Sequence, residues 1–231
     1  MFVVSTLLLA AVSSQGPPII PDLGPVRQDR RNGIDGYGAA AGPARGQTLP
    51  TVRIVTTLGV IDVEVDSVRA PVTAANFLRY VDGGFYRRGS FHRTVTLQNQ
   101  PDNPVKIEVV QGAADSTRRP ALFPPIGLER TNRTGIAHRA GTISMARGGP
   151  DTARDQFFIC VTDQPALDFG GARNPDGQGF AAFGRVIQGM DVIRAIQRAP
   201  ATGQRLAPPI TITEAHRLPV PAPRSQGPGR A

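Results

Sequence analysis

The sequence predicts a mainly β fold, an antiparallel barrel with helical caps, and three features support this prediction. A hairpin pattern opens the folded region, with a β-branched segment over Thr51–Thr57, a turn at Leu58-Gly59, and apolar and acidic residues alternating over 61–66. Short apolar segments of strand length follow, separated by turn-rich stretches. Only two segments have helical periodicity, and they lie far apart, so the strand–helix alternation of a parallel sheet is absent from the pattern.

The first helix is predicted over residues 70–80. Pro71 suits the first helical turn, where the missing N–H leaves no bond unmade. Ala74, Phe77, Leu78 and Val81 form one apolar stripe at spacings of three and four residues, and two glycines follow at 83 and 84. We therefore expect this helix to pack on the core through that stripe.

The remaining elements are six further strands and a second helix. The strands are predicted at Ser90–Thr94, Val105–Gln111, Gly141–Ala146, Gln156–Val161, Phe180–Ile187 and Ile210–Glu214. The second helix is predicted over Met190–Arg198, with Met190, Ile193 and Ile196 facing inward.

Both ends of the chain differ in composition from its centre. Residues 2–12 are almost wholly apolar, too short to span a bilayer but typical of the apolar region of a signal peptide, so we predict a signal peptide over 1–14. Residues 15–49 and 219–231 are rich in Gly, Pro and Arg and predict a flexible linker and tail. The folded domain is thus predicted over 50–218, in an exported protein, most naturally periplasmic, that has no membrane association once the leader is removed.

The charge and cysteine content favour ordinary roles over special ones. The net charge is +8, yet no basic run with interleaved aromatic residues suggests nucleic-acid binding, so no nucleic-acid partner is expected. Cys160 is the only cysteine and lies in an apolar segment, where a buried small hydrophobe is more plausible than a catalytic thiol. Three histidines without ligand spacing give no reason to expect a metal.

Five short motifs carry most of the functional information, in one fixed order along the chain. They are Phe91-His92-Arg93, Val110-Gln111-Gly112, Ser144–Gly148, Gln156–Ile159 and Phe180–Gly184. Each is weak alone, but the series closely resembles the cyclophilins, the barrel-shaped peptidyl-prolyl cis-trans isomerases, over nearly all of residues 51–198. The resemblance implies a closed eight-stranded antiparallel barrel capped by two α-helices. It also implies an enzyme that acts on X–Pro peptide bonds without a cofactor.

The resemblance also implies roles for three catalytic residues. Arg93 matches the arginine that donates hydrogen bonds to the twisted proline peptide, and a guanidinium suits this role because its charge is permanent and its donors are fixed. Gln111 matches the glutamine that orients the arginine and the peptide. Phe158 matches the aromatic floor of the proline pocket, and strand alternation puts Gln156 on the same face.

Other positions match the family's substrate-binding residues. His92 matches the histidine beside the arginine, Ala146, Arg147 and Gly148 match the segment that pairs with the substrate backbone, and Leu167 matches an apolar wall. The complete substrate-binding set is His92, Val109, Ala146, Arg147, Gly148, Gln156, Leu167 and Phe180.

Several positions depart from the family pattern. Glu108 stands where an aromatic wall residue is expected, and Ala166 where a large aromatic is usual. An insertion of about ten residues lies between Arg93 and Gln111. Val109, Arg147 and Phe180 replace the usual Met, Asn, and His or Tyr. We therefore expect a smaller pocket with one more polar wall.

Two functional hypotheses follow. The first is a monomeric, exported peptidyl-prolyl isomerase that acts on proline-containing unfolded or flexible polypeptides. The second is a binding module that grips proline segments with weak or no turnover. Arg93, Gln111 and Phe158 favour the enzyme, whereas Glu108 and Ala166 favour the binder.

Overall fold

The structure, a computed structural model, describes residues 48–219. The predicted signal peptide (1–14), nearly all of the predicted linker (15–49) and the tail beyond residue 219 lie outside the described residues. The first strand begins at Thr51 and the last ends at Arg217.

Within residues 48–219, nine β-strands form one antiparallel sheet. Their bounds are β1 Thr51–Thr56, β2 Gly59–Val65, β3 Ser90–Val95, β4 Val109–Ala113, β5 Thr142–Met145, β6 Phe157–Cys160, β7 Ala181–Gln188, β8 Ala201–Thr202 and β9 Arg205–Arg217. The strand order is β1-β2-β7-β5-β6-β4-β3-β9-β8, and β1 also pairs with β9. That last pairing closes eight strands into a barrel, while β8 forms a short hairpin with the start of β9. The predicted eight-stranded antiparallel barrel is confirmed.

Of the three α-helices in the described part of the chain, two are the predicted ones. Helix α1 spans Pro71–Asp82 and buries the predicted apolar stripe, while α3 spans Met190–Gln197 and buries Val192, Ile193 and Ile196. The inward position predicted for Met190 is only partly correct, because its side chain is half-buried at the edge of the core. Helix α2 is a single turn, Thr131–Thr134, in a stretch predicted to be turns.

The core fills the barrel between its two long helices. Phe77 of α1 lies 5.1 Å from Phe183 and 5.8 Å from Phe157, measured between ring centroids, so the helix is joined to β6 and β7 through aromatic contacts. Such tilted and edge-to-face pairs add to the stabilisation from burying the rings. The same packing fixes β6, which carries Phe158 on its opposite face.

Two strand predictions have the wrong bounds. The strand predicted at 105–111 begins only at Val109, because the preceding residues form a loop held by the buried side chain of Gln100, which bonds both the amide N–H and the carbonyl of Ile107. The last strand is much longer than the predicted 210–214, since β9 pairs with β3 at one end and β1 at the other. Neither pairing leaves a local sequence signal.

Candidate active site

Three adjacent strands bring the predicted catalytic residues into one row. In the antiparallel register Arg93 of β3 is opposite Gln111 of β4, and Gln111 is opposite Phe158 of β6. Directly opposed residues in antiparallel strands have neighbouring side chains on one face of the sheet. Residues that are up to 65 positions apart in sequence therefore become lateral neighbours on the outer face of the barrel.

Hydrogen bonds fix the orientation of the two polar side chains. Arg93 Nη1 donates to Gln111 Oε1 at 2.9 Å, and Gln111 Nε2 donates to Gln156 Oε1 at 2.7 Å. The Gln111 amide therefore turns its oxygen to the guanidinium and its nitrogen to Gln156. The alternation argument that placed Gln156 beside the site agrees with this geometry.

Gln204, which the sequence motifs did not indicate, is the second partner of Arg93. Its Oε1 accepts from Arg93 Nε at 3.0 Å and from Nη2 at 2.6 Å, and its Nε2 donates to the carbonyl of Asn99 at 3.0 Å. Asn99 belongs to the inserted segment and itself donates to the carbonyls of Thr94 and Gly203. The insertion therefore helps to hold the guanidinium in place, a role that depends on a contact spanning more than 100 residues.

A cavity of about 220 Å³ opens beside Arg93. Its floor is apolar, with Ile107, Val109, Phe158 and Leu167 each at most 6 % exposed. The complete lining is Arg93, Ile107, Val109, Gln111, Ala146, Arg147, Phe158, Leu167, Arg173, Asn174 and Phe180. A cavity with an apolar floor and with a guanidinium and an amide in its lining suits a small apolar ring attached to a polar backbone.

The expected polar wall at Glu108 is wrong. The side chain of Glu108 turns away from the cavity and accepts hydrogen bonds from Thr162 and Gln197. Ile107 lines the cavity, and Glu108 does not. The loop that precedes β4 does not keep strand alternation, so counting back from Gln111 selected the wrong side chain.

The loop over residues 162–180 forms the opposite side of the cavity. The side chain of Arg147 holds this loop in place. Its guanidinium donates hydrogen bonds to both carboxylate oxygens of Asp176 and to the carbonyl of Gly179. The Arg147 side chain is only 1 % exposed. The same guanidinium lies 5.1 Å from the ring centre of Phe180, which meets Phe158 edge-on at 5.3 Å. The hydrogen bonds that Asp176 accepts, chiefly those from Arg147, lower the pKa of its carboxyl group to about 2. The side chain of Arg147 is thus already engaged, and its backbone is the part left for a substrate.

Three of the predicted substrate-binding residues lie outside this cavity. Gly148 and Gln156 line a neighbouring cleft of about 380 Å³. His92 lines a third cavity, of about 530 Å³, on the other side of Arg93. Ala166 lines none of these three cavities. Its carbonyl accepts a hydrogen bond from the amide N–H of Arg173, and the side chain of Arg173 lines the cavity beside Arg93.

A His–Asp–Ser arrangement lies beneath the aromatic floor. His138 Nδ1 is 2.7 Å from Asp168 Oδ1, His138 Nε2 is 2.9 Å from Ser144 Oγ, and the imidazole stacks on Phe158 at 5.9 Å. The order matches a hydrolase triad, but Ser144 is completely buried, so no substrate carbonyl can reach its hydroxyl. The arrangement supports Phe158 from below.

Cys160 is equally unsuited to covalent chemistry. It is fully buried on β6, and this burial raises the pKa of its thiol. A thiolate is the reactive form of cysteine, so a buried, protonated thiol acts as a small apolar side chain. Among residues 48–219 no cluster of His, Cys, Asp and Glu side chains could hold a metal ion, and none of the helices there is long and apolar enough to cross a membrane.

Two guanidinium groups line the cavity without carboxylate partners in the described part of the chain. Burial lowers the pKa of Arg93, and the nearby positive charge of Arg173 lowers it further. Burial also lowers the pKa of Arg173. Both remain protonated at neutral pH, because an arginine pKa starts far above that range.

Comparison with known families decides what this barrel is. The family model described as "Cyclophilin type peptidyl-prolyl cis-trans isomerase/CLD" matches residues 51–217. The chain belongs to the cyclophilin-type peptidyl-prolyl cis-trans isomerases. This is an enzyme family, so the resemblance noted from the five motifs is confirmed.

Individual cyclophilins agree with this assignment. A peptidyl-prolyl cis-trans isomerase of Acinetobacter baylyi is 38 % identical over 154 residues, which cover 65 % of this chain and 73 % of the relative. Peptidyl-prolyl cis-trans isomerase A of Dickeya dadantii is 36 % identical over 161 residues, covering 69 % and 77 %. Peptidyl-prolyl cis-trans isomerase B of Escherichia coli is 35 % identical over 150 residues, covering 64 % and 84 %.

Among solved structures, a cyclophilin of Cryptosporidium parvum crystallised in the presence of the dipeptide Ala-Pro matches with a TM-score of 0.59. It is 21 % identical, and the match covers 74 % of this chain and 99 % of that one. At this identity the match concerns the fold, which is the same closed barrel.

Proposed function

We propose that this cyclophilin isomerises X–Pro bonds by seating the proline ring on Phe158 and donating hydrogen bonds from Arg93. The observation that carries the proposal is the position of the Arg93 guanidinium, which Gln111 and Gln204 hold in the lining of a cavity with an apolar floor. A proline ring is small and apolar, and the cavity floor offers the same character. The Cryptosporidium relative crystallised with Ala-Pro is consistent with a proline-containing ligand.

The chemistry requires selective stabilisation of a twisted amide. Rotation about an X–Pro bond is opposed by about 20 kcal/mol because the C–N bond has partial double-bond character. In the twisted state conjugation is lost and the proline nitrogen becomes a better hydrogen-bond acceptor, so a fixed donor aimed at it acts only there. No acid, base or nucleophile is needed.

The hydrogen bonds of Arg93 leave donors for this purpose. A guanidinium has five N–H groups. Three are used within the protein, one each from Nε, Nη1 and Nη2. One N–H on each terminal nitrogen therefore remains to reach a peptide, while the bonds already made keep the group from reorganising when the substrate twists.

The test is a proline-peptide isomerisation assay on the wild type and on Arg93→Ala. We expect kcat/KM to fall by about a hundredfold or more, equivalent to roughly 3 kcal/mol of transition-state stabilisation. The matched control is Arg194→Ala, which removes an exposed arginine of α3. Activity of Arg93→Ala within about threefold of wild type, with the control also near wild type, would remove Arg93 from the mechanism.

A second candidate is a proline-binding module with little turnover. It is favoured by the departures on the loop side of the cavity, where Ala166 replaces the usual aromatic and Arg173 lines the wall. The same assay separates the two candidates: saturable peptide binding without faster isomerisation would indicate the module.

We also propose that the clients are proteins folding outside the cytoplasm. The support is the apolar segment over residues 2–12 with small residues after it. N-terminal sequencing of protein recovered from its native host should begin after about residue 14. Cytosolic protein with an intact Phe2 would contradict export and leave the isomerase proposal standing.

A further inference from the structure

Arg173 is a second cation at the proposed substrate pocket. It is half-buried in the 162–180 loop and lines the pocket together with Asn174. It also lines an adjoining cavity that the inserted segment and Gln204 form. A peptide seated on Phe158 and extending in this direction would pass along the Arg173 side chain.

The partners of Arg173 explain its position but not its charge. Its Nη1 donates to Gln100 Oε1 at 2.8 Å and to the carbonyl of Val105 at 2.5 Å, which ties the loop to the inserted segment. Both acceptors are neutral, and a neutral donor could make the same bonds. No salt bridge of Arg173 or Arg93 occurs within residues 48–219.

The surroundings leave this positive charge uncompensated. Arg147, the third arginine at the pocket, is neutralised by Asp176. Asp102 lines the adjoining cavity, but it is exposed and not in salt-bridge contact with Arg173. The positive charges of Arg173 and Arg93 are close enough to oppose each other, and burial limits their screening by water.

We infer that Arg173 is a specificity-determining residue that makes the site prefer proline segments with Asp or Glu next to the proline. A carboxylate beside the ring compensates two neighbouring guanidinium groups, whereas a lysine adds a third cation. The inference rests on the proposed isomerase function, since it concerns which X–Pro substrates that site takes. The charge acts on encounter and binding, so KM carries most of the effect.

The experiment compares kcat/KM for peptides that differ only by Glu, Gln or Lys, placed either directly before or directly after the proline. For at least one of these positions we expect wild type to prefer Glu over Gln by about threefold or more in low salt, with Lys poorest. Raising the salt from about 0.02 M to about 0.5 M should reduce the preference, because the charges are partly exposed.

Variants assign the preference to Arg173. Arg173→Gln should bring the Glu-to-Gln ratio close to one. Arg173→Lys should keep the preference, which separates loss of charge from damage to the loop. Arg194→Gln, which removes the same net charge from the exposed face of α3, should leave the ratio unchanged.

A wild-type ratio near one at both positions, or a preference that survives in Arg173→Gln, would overturn the inference. Absence of turnover with every peptide would instead contradict the proposed isomerase function. In that case the electrostatic inference is tested by equilibrium binding of the same peptides, with the Glu-to-Gln ratio taken from their affinities.

Discussion

The two sides of the pocket are built in different ways. The barrel wall consists of Arg93, Gln111 and Phe158, which neighbouring strands hold in register. The loop wall consists of Leu167, Arg173 and Phe180, which lie in or beside the 162–180 loop. All three barrel-wall residues match the family motifs, whereas Phe180 of the loop wall departs from them, as does Ala166 in the same loop.

From this difference in construction we expect the barrel wall to serve catalysis and the loop wall to serve substrate selectivity. Strand pairing fixes side chains to within a fraction of an ångström, which a transition-state donor requires. The loop wall depends on side chains that bond backbone carbonyls, such as Arg147 on Gly179 and Arg173 on Val105, and it can change length and charge without disturbing the ladder. We therefore expect substitutions in the barrel wall to affect catalysis and stability together, and those in the loop wall to affect substrate choice.

The largest contrast is expected between the two aromatic rings. Phe158→Ala should lower the free energy of unfolding by about 3 kcal/mol, because the ring is 5 % exposed and packs on His138 and Phe180. Phe180→Ala should cost only about 1 kcal/mol, since that ring is half-buried. Urea unfolding of both variants measures the difference, and equal losses would mean that the two walls are equally integrated into the fold.

A smaller effect, confined to catalysis, is expected at Gln204. Gln204→Leu removes the acceptor of Arg93 Nε and Nη2 but leaves the Gln111 bond, so the guanidinium keeps its place and loses part of its orientation. We expect kcat to fall about tenfold with KM little changed, because the interaction matters mainly in the transition state.

Gln188→Leu, at an exposed position of β7, is the matched control for Gln204→Leu. A fall in stability with unchanged kcat would show that Gln204 only joins β9 to the insertion.

The smallest effect is expected from the pair Arg147–Asp176, whose carboxylate side chain is 31 % exposed. The pKa of Asp176 is lowered from 3.8 to about 2, chiefly by its hydrogen bonds with Arg147, so the folded state binds the proton less readily than the unfolded chain. Its stabilising contribution is therefore complete above about pH 4, declines as the pH falls below that value, and is lost below about pH 2. The urea midpoint of Asp176→Asn should be slightly below that of wild type at neutral pH, and the two should converge on acidification. A constant difference across this range would show that the carboxylate charge is not what holds the loop wall.

The sequence alone predicted the barrel and the residues that β3, β4 and β6 bring into one row. Period-two strands, two amphipathic helices and five ordered motifs were enough, because each depends on residues close together in the chain. Alternation along the predicted strand 156–161 put Gln156 on the face of Phe158, and Gln156 accepts a hydrogen bond from Gln111 there. The resemblance supplied the partners on β3 and β4. Where alternation ended, at the loop before β4, the same reasoning chose Glu108 instead of Ile107.

Only the tertiary structure decided which side chains surround the row formed by Arg93, Gln111 and Phe158. Gln204 reaches Arg93 from 111 positions away, and Arg173 reaches Gln100 from 73. The first contact joins a turn to strand β3, and the second joins two irregular segments. No local periodicity encodes such a meeting, because it arises when β1 and β9 close the barrel and bring distant loops to the same edge.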